Sequence, residues 1–161
     1  ACAASHERVS YLDVIREGLR GAREGVKEAS AVALPNVGCS VEKRIQLAVE
    51  IGLRNNTDHE RALHEISELV GCGSFVFESV PAVFGMIAAC GGNAMETIYM
   101  AVNAGDDSDT TACIAGYICG ALNGLNVLDQ DLCAQVDDAN HFRLLTLAEG
   151  IENQTMSEGK K

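Results

Sequence analysis

Residues 103–124 read NAGDDSDTTACIAGYICGALNG, an acidic turn that runs straight into an apolar stretch built from small side chains. Gly105 gives the turn access to positive φ, and Asp and Ser are residues that begin helices. A helix is therefore predicted over Thr110 to Asn123, with Gly124 behind it. Ala112, Gly116 and Gly120 are spaced by four and share one face, which is expected to lie almost backbone to backbone against another helix. The apolar part, Thr111 to Leu122, is well short of the roughly 20 residues a membrane span needs.

Working outward from this stretch, the punctuation stays helical. Asn93 and Glu96 form a capping signature for a helix that ends near Asn103-Ala104-Gly105. Pro81 suits the first turn of a helix over Ala82 to Cys90, closed by Gly91-Gly92. Gly71-Cys72-Gly73-Ser74 reads as a loop, and Thr57 with Glu60 as the capping box of the helix before it, which runs to Val70. Leu34 to Ser40 is a loop whose last residue caps a helix from Val41 to about Arg54. Val9, Leu12, Ile15, Leu19, Ala22, Val26 and Ala29 recur at helical spacing and predict one buried stripe. Gly18, Gly21 and Gly25 weaken that helix by about 1 kcal/mol each, so packing must hold it, and they leave room for a close neighbour.

Beyond Gly124 the pattern is weaker, with a helix over Asp129 to Val136 and another around His141 to Glu149. No segment alternates with period two. The expected class is all-α, a compact orthogonal multi-helix bundle over residues 1–150 with a polar tail at 151–161. A chain of 161 residues is long enough for one domain with its own core. Hydrophobic residues make up 47% and aromatics only 4%, so that core must be filled by Ala, Leu, Val, Ile and Cys.

The formal net charge of -11 and the lack of clustered Lys and Arg exclude a nucleic-acid partner held by phosphate contacts. An acidic surface instead concentrates cations and repels an anionic substrate unless bound metal offsets the field. Seven Cys, with no C-x-x-C pair and no signal peptide, read as reduced small hydrophobes of a cytoplasmic protein rather than as disulfides or zinc ligands. His59, Glu60 and His64 resemble H-E-x-x-H, but the two His are five apart, about 140° around a helix, and cannot share a zinc. They belong on the solvated face.

The chemistry is concentrated in Gly105 to Thr110. Hard divalent ions take several oxygen ligands, and Asp107 and Asp109, two apart on a tight turn, can aim both carboxylates at one point while Thr110 adds its hydroxyl. The helix N-terminus behind them offers N–H groups to a phosphate or ribose oxygen. Asp and Ser are equally good helix caps without any metal. Against that, one cap needs one side chain, whereas three Asp in four positions repel each other unless a cation sits among them.

Asn103 to Thr110, followed by Ala115-Gly116 and Gly120-Ala121, resembles the G-G-D-T-D-T signature and small-residue helix of the ADP-ribosylglycohydrolases. Phe77-Glu78-Ser79-Val80-Pro81-Ala82 looks like the segment that precedes that signature in the family, and the resemblance covers roughly Cys2 to Gly124. It implies an all-helical fold and a pair of Mg2+ or Mn2+ ions held partly by Asp107, Asp109 and Thr110. Hydrolysis of an ADP-ribosyl linkage is the activity it implies, on a protein side chain or related acceptor. Gly73, Ser74 and Phe75 would lie near the nucleotide, with Gly105, Asp106 and Ser108 also on the substrate side, and His6 corresponds weakly to a substrate-side His.

Two departures accompany the resemblance. Asp106 stands where the family usually has its second Gly, and no T-D-D motif or acidic catalytic residue is found in this chain. The expectation is a C-terminal half whose N-terminal partner segment supplies the remaining ligands and the catalytic acid, so that the chain alone does not turn over. A catalytically silent, crystallin-like relative that only binds metal or nucleotide is the alternative.

Overall fold

Ser10, Ser40, Asp58, Asn93 and Asp129 each place a side-chain oxygen on the first free N–H groups of a helix, and these caps set most of the element boundaries. A computed structural model describes residues 3–5, 9–34 and 38–158. Its helices are α1 (Tyr11–Ala29), α2 (Val41–Arg54), α3 (His59–Leu69), α4 (Val76–Ala89), α5 (Ala94–Val102), α6 (Ser108–Asn123), α7 (Gln130–Asn140) and α8 (Leu144–Glu158). No described residue lies in a strand, and the class is all-α. The chain divides into two units, Ala1–Val127 and Leu128–Lys161.

The centre of the first unit is α4. Every residue from Pro81 to Cys90 is buried, which is what a helix apolar on all sides requires. Helices α1, α2, α3, α5 and α6 all pack against it. The closest approach is to α2, where a Cβ built on Gly52 would lie 2.1 Å from the Gly85 carbonyl oxygen and one on Gly85 2.8 Å from the Ala48 carbonyl oxygen. Ile45, Ala48 and Ile51 of α2 are fully buried along this contact. Small side chains thus bring two backbones together, as the aromatic-poor composition demands.

Several expectations are corrected here. The backbone-to-backbone approach belongs to α2 and α4, not to α6. Gly116 has only Ile98 Cδ1 at 3.9 Å from a built Cβ, and Gly120 has nothing within 4 Å. The inward face of α6 is Thr111, Ala115, Ile118 and Cys119, offset by one residue from the small-residue row, which is about 100° of rotation. The start of α4 is Val76 rather than Ala82, so Pro81 sits inside the helix. A Pro there removes the N–H that would bond to the Phe77 carbonyl. Arg44 from α2 supplies a donor instead, at 3.3 Å.

Asp58, not Thr57, caps α3, accepting from the Arg61 N–H at 3.0 Å. On α1 only Val14 and Ile15 are buried, while Leu12 and Val26 of the predicted stripe are exposed. Of its glycines, Gly18 alone meets a neighbour, Phe84, whose ring lies 2.3 Å from a built Cβ; around Gly21 and Gly25 there is open space.

In the second unit, Asp129 Oδ1 accepts from the N–H groups of Asp131 and Leu132, both at 3.0 Å, and starts α7. His141 and Arg143, at φ 57° and 54°, turn the chain into α8. The Leu144 N–H donates to Asp137 Oδ1 at 3.1 Å across that turn. Residues 151–158, at the polar end of the sequence, continue α8 as helix.

Candidate metal centre

Between α5 and α6 the chain reverses through two successive left-handed residues, Gly105 at φ 72° and Asp106 at φ 50°. The first is free there; the second is among the few L-residue types that tolerate it. Asp107 then heads α6 with a backbone carbonyl that accepts from the Thr111 N–H at 3.1 Å and from Thr111 Oγ1 at 2.8 Å. Its side chain makes no capping hydrogen bond. The carboxylate at the helix start is therefore not consumed by the helix.

The carboxylates of Asp106, Asp107 and Asp109 and the hydroxyl of Thr110 make no hydrogen bond or ion pair with any described residue. Asp107 and Thr110 are half-buried and Asp109 exposed. Two carboxylates and a hydroxyl beside a helix N-terminus are hard-oxygen donors of the type that divalent cations such as Mg2+ take. The three Asp do not gather as one trio: among the described residues, the group of three or more His, Cys, Asp or Glu whose ligand atoms all lie within 4.8 Å of one another is elsewhere, at His59, Cys90 and Glu96. Asp106 instead turns toward Gly73, its Oδ2 3.1 Å from a Cβ built there.

That second loop is fixed to the first by one backbone bond, from the Asp107 N–H to the Cys72 carbonyl at 3.1 Å. Gly71, at φ 87°, ends α3 by donating to the Ile66 carbonyl at 3.0 Å. Gly73 is buried, and a Cβ there would lie 2.4 Å from Glu78 Oε2 and 3.1 Å from Asp106 Oδ2. A side chain at this position would have to displace the Glu78 carboxylate. Burial pushes the Cys72 thiol up, and the charges of Asp106 and Glu78 act in the same direction. Ser74 is exposed, and the Phe75 ring, also exposed, stacks on Phe77 with centroids 5.1 Å apart. The Arg44 guanidinium lies over the other ring at 5.3 Å and 3.9 Å from Glu78 Oε1.

The two sequence blocks, 73–75 and 105–110, are thus neighbours in space. A family model for the ADP-ribosylglycohydrolases matches residues 1–160. The chain belongs to this family. The match extends past Gly124, where the motif resemblance stops, to the end of α8. The uncharacterized protein YegU of Escherichia coli (strain K12) is similar in sequence, 30% identical over 116 residues. Those residues are 72% of this chain and 34% of YegU, so the chain spans about a third of that relative's length. No solved structure gives a significant match.

Asp106, at φ 50°, holds a left-handed conformation that glycine adopts without strain. His6 lies outside the described residues. Two residues beside the site escaped the sequence reading, Glu78 and Arg44. Glu78 lies in one of the quoted blocks as the only acid of α4, and Arg44 interrupts the apolar row it forms with Ala48 and Ile51, which is the signal that was available.

Proposed function

We propose that Asp107, Asp109 and Thr110 form part of a dinuclear Mg2+ or Mn2+ site that serves hydrolysis of the glycosidic bond between ADP-ribose and a protein side chain or related acceptor. The observation that supports this most is that Asp107 heads α6 while its carboxylate leaves the helix amides alone. Such cations, when bound, polarise ribose hydroxyls and a water at the anomeric centre. The free amides at the start of α6, with Gly105, Asp106 and Ser108, would receive an oxygen of the ribose or a phosphate. Gly73, Ser74 and the exposed ring of Phe75 would position the nucleotide, held against the metal loop through the bond from Asp107 to Cys72. The remaining ligands and the general acid–base group would come from outside these motifs.

A second reading, binding without turnover, is favoured by one observation. Asp106 adds a carboxylate beside Glu78 at the substrate side of the loop, where it opposes a diphosphate. Calorimetry with Mg2+ and ADP-ribose on the full-length protein, alongside release of ADP-ribose from a modified protein, separates the two. Binding with release supports hydrolysis, and binding alone the silent reading. Replacing Asp107 and Asp109 together by Ala should abolish the metal-dependent heat and the release; unchanged turnover would refute the assignment.

A further inference from the structure

His59, Cys90 and Glu96 come from three different helices and meet at their ends. His59 is the first residue of α3, Cys90 follows the last residue of α4, and Glu96 lies in the first turn of α5. Their ligand atoms all lie within 4.8 Å of one another. The Gly91-Gly92 turn, at φ 58° and 81°, folds α5 back so that Glu96 returns beside Cys90.

From this convergence we propose a transition-metal site, distinct from the acidic loop of α6, in which Cys90 Sγ, a His59 ring nitrogen and a Glu96 carboxylate oxygen bind Zn2+. The donor set decides the ion. A thiolate and an imidazole select zinc over Mg2+ or Mn2+, and three protein ligands with water as the fourth complete a tetrahedron. Thiolate and carboxylate together balance the two charges of the ion. Binding forms a Zn–S bond, breaks the S–H bond and releases that proton to solvent, with no change of oxidation state.

Core packing accounts for Cys90, which is buried and donates to the Met100 sulfur at 3.8 Å. It does not account for the His59 and Glu96 side chains, both exposed, converging on that sulfur without an ion pair or side-chain hydrogen bond to any described residue. The Cys90 end of α4 is also the negative end of a helix dipole, which favours a cation. His59, Cys90 and Glu96 are too far apart along the chain to form a spacing motif, so the cluster has no local signal in the sequence.

Titrating the purified chain with Co2+ tests the site through thiolate-to-cobalt charge-transfer absorption in the near ultraviolet. The expected result is a band that saturates at one equivalent, is displaced by Zn2+, survives excess Mg2+ and is absent in Cys90→Ser. Should Cys90→Ser fail to fold, His59→Ala and Glu96→Gln, both at exposed positions, carry the test. Each should weaken formation of the thiolate-to-cobalt band and its displacement by Zn2+ by about 10- to 100-fold, while Asp107→Asn leaves that band unchanged. The absence of a band, its survival in Cys90→Ser, or affinities in His59→Ala and Glu96→Gln within twofold of the parent would overturn the proposal, leaving a His–Glu ion pair at most.

Discussion

The Arg44 guanidinium donates to the carbonyl oxygen of Phe77 at 3.3 Å, the acceptor that Pro81, four residues further on, leaves without an N–H. Arg44 also donates to the Val70 carbonyl at the end of α3. One half-buried cation therefore serves the loose ends of two helices beside the candidate site. Arg44→Met keeps the apolar stem and strands both carbonyls, with an expected loss of about 2–4 kcal/mol in urea unfolding. Pro81→Ala returns an N–H aimed at Phe77. In that background Arg44→Met should cost about 1 kcal/mol less, and an identical cost in both backgrounds would show that the two residues do not compensate.

Glycines on different helices should respond oppositely to the same change. Gly85→Ala places a methyl 2.8 Å from the Ala48 carbonyl oxygen and 3.0 Å from Ala48 Cβ, atoms that the packed α2 backbone cannot withdraw. A loss of about 3 kcal/mol or outright failure to fold is expected. Gly120→Ala meets nothing within 4 Å and should stabilise by up to about 1 kcal/mol through helix propensity. Thermal melts of both variants decide this; a destabilised Gly120→Ala would mean that the small-residue face of α6 is covered after all.

Those glycines also mark the limit of what the sequence makes legible. Caps are local, so Ser40, Asn93 and Gly124 could be placed from residue type alone. Which of two helical faces turns inward is not local. Ala112, Gly116 and Gly120 looked like the contact row, yet Thr111 and Ala115 carry it, because a Thr whose hydroxyl bonds back to the Asp107 carbonyl is satisfied inside a core. Pro81 misled for a related reason, since the donor that makes it tolerable lies on another helix. At the site, the proximity of 73–75 to 105–110 followed from the family resemblance and not from spacing, and the bond from Asp107 to Cys72 that joins them has no sequence signal.

Asp106 can be tested for both its backbone conformation and its charge. Its φ of 50° suits Gly best, Asp tolerably and Ala poorly. Asp106→Gly should change stability by no more than about 1 kcal/mol, because relief of strain and the added freedom of Gly oppose each other. Asp106→Ala should be the less stable of the two. Removing the charge beside Glu78 should also tighten binding of ADP-ribose to the full-length protein several-fold, with the gain shrinking as salt is added. Calorimetry at two salt concentrations reads this out. Unchanged affinity at low salt would mean that Asp106 faces away from the nucleotide.

Acid should act on the fold through Glu65. Its carboxylate accepts from Arg54 and, at 3.0 Å, from Arg61. The Arg54 hydrogen bond first and the Arg61 bond second lower its pKa from 4.5 to about 2. A carboxylate with a depressed folded value stabilises the fold fully above its unfolded value, and the contribution disappears as pH falls toward the folded one. Stability should therefore decline between pH 4.5 and about 2. Glu65→Gln should be less stable than the parent at neutral pH and show a shallower decline across that window, since Gln has no proton to gain. Parallel denaturation curves at several pH values check the difference, and equal slopes for the two proteins would place the acid sensitivity on other groups.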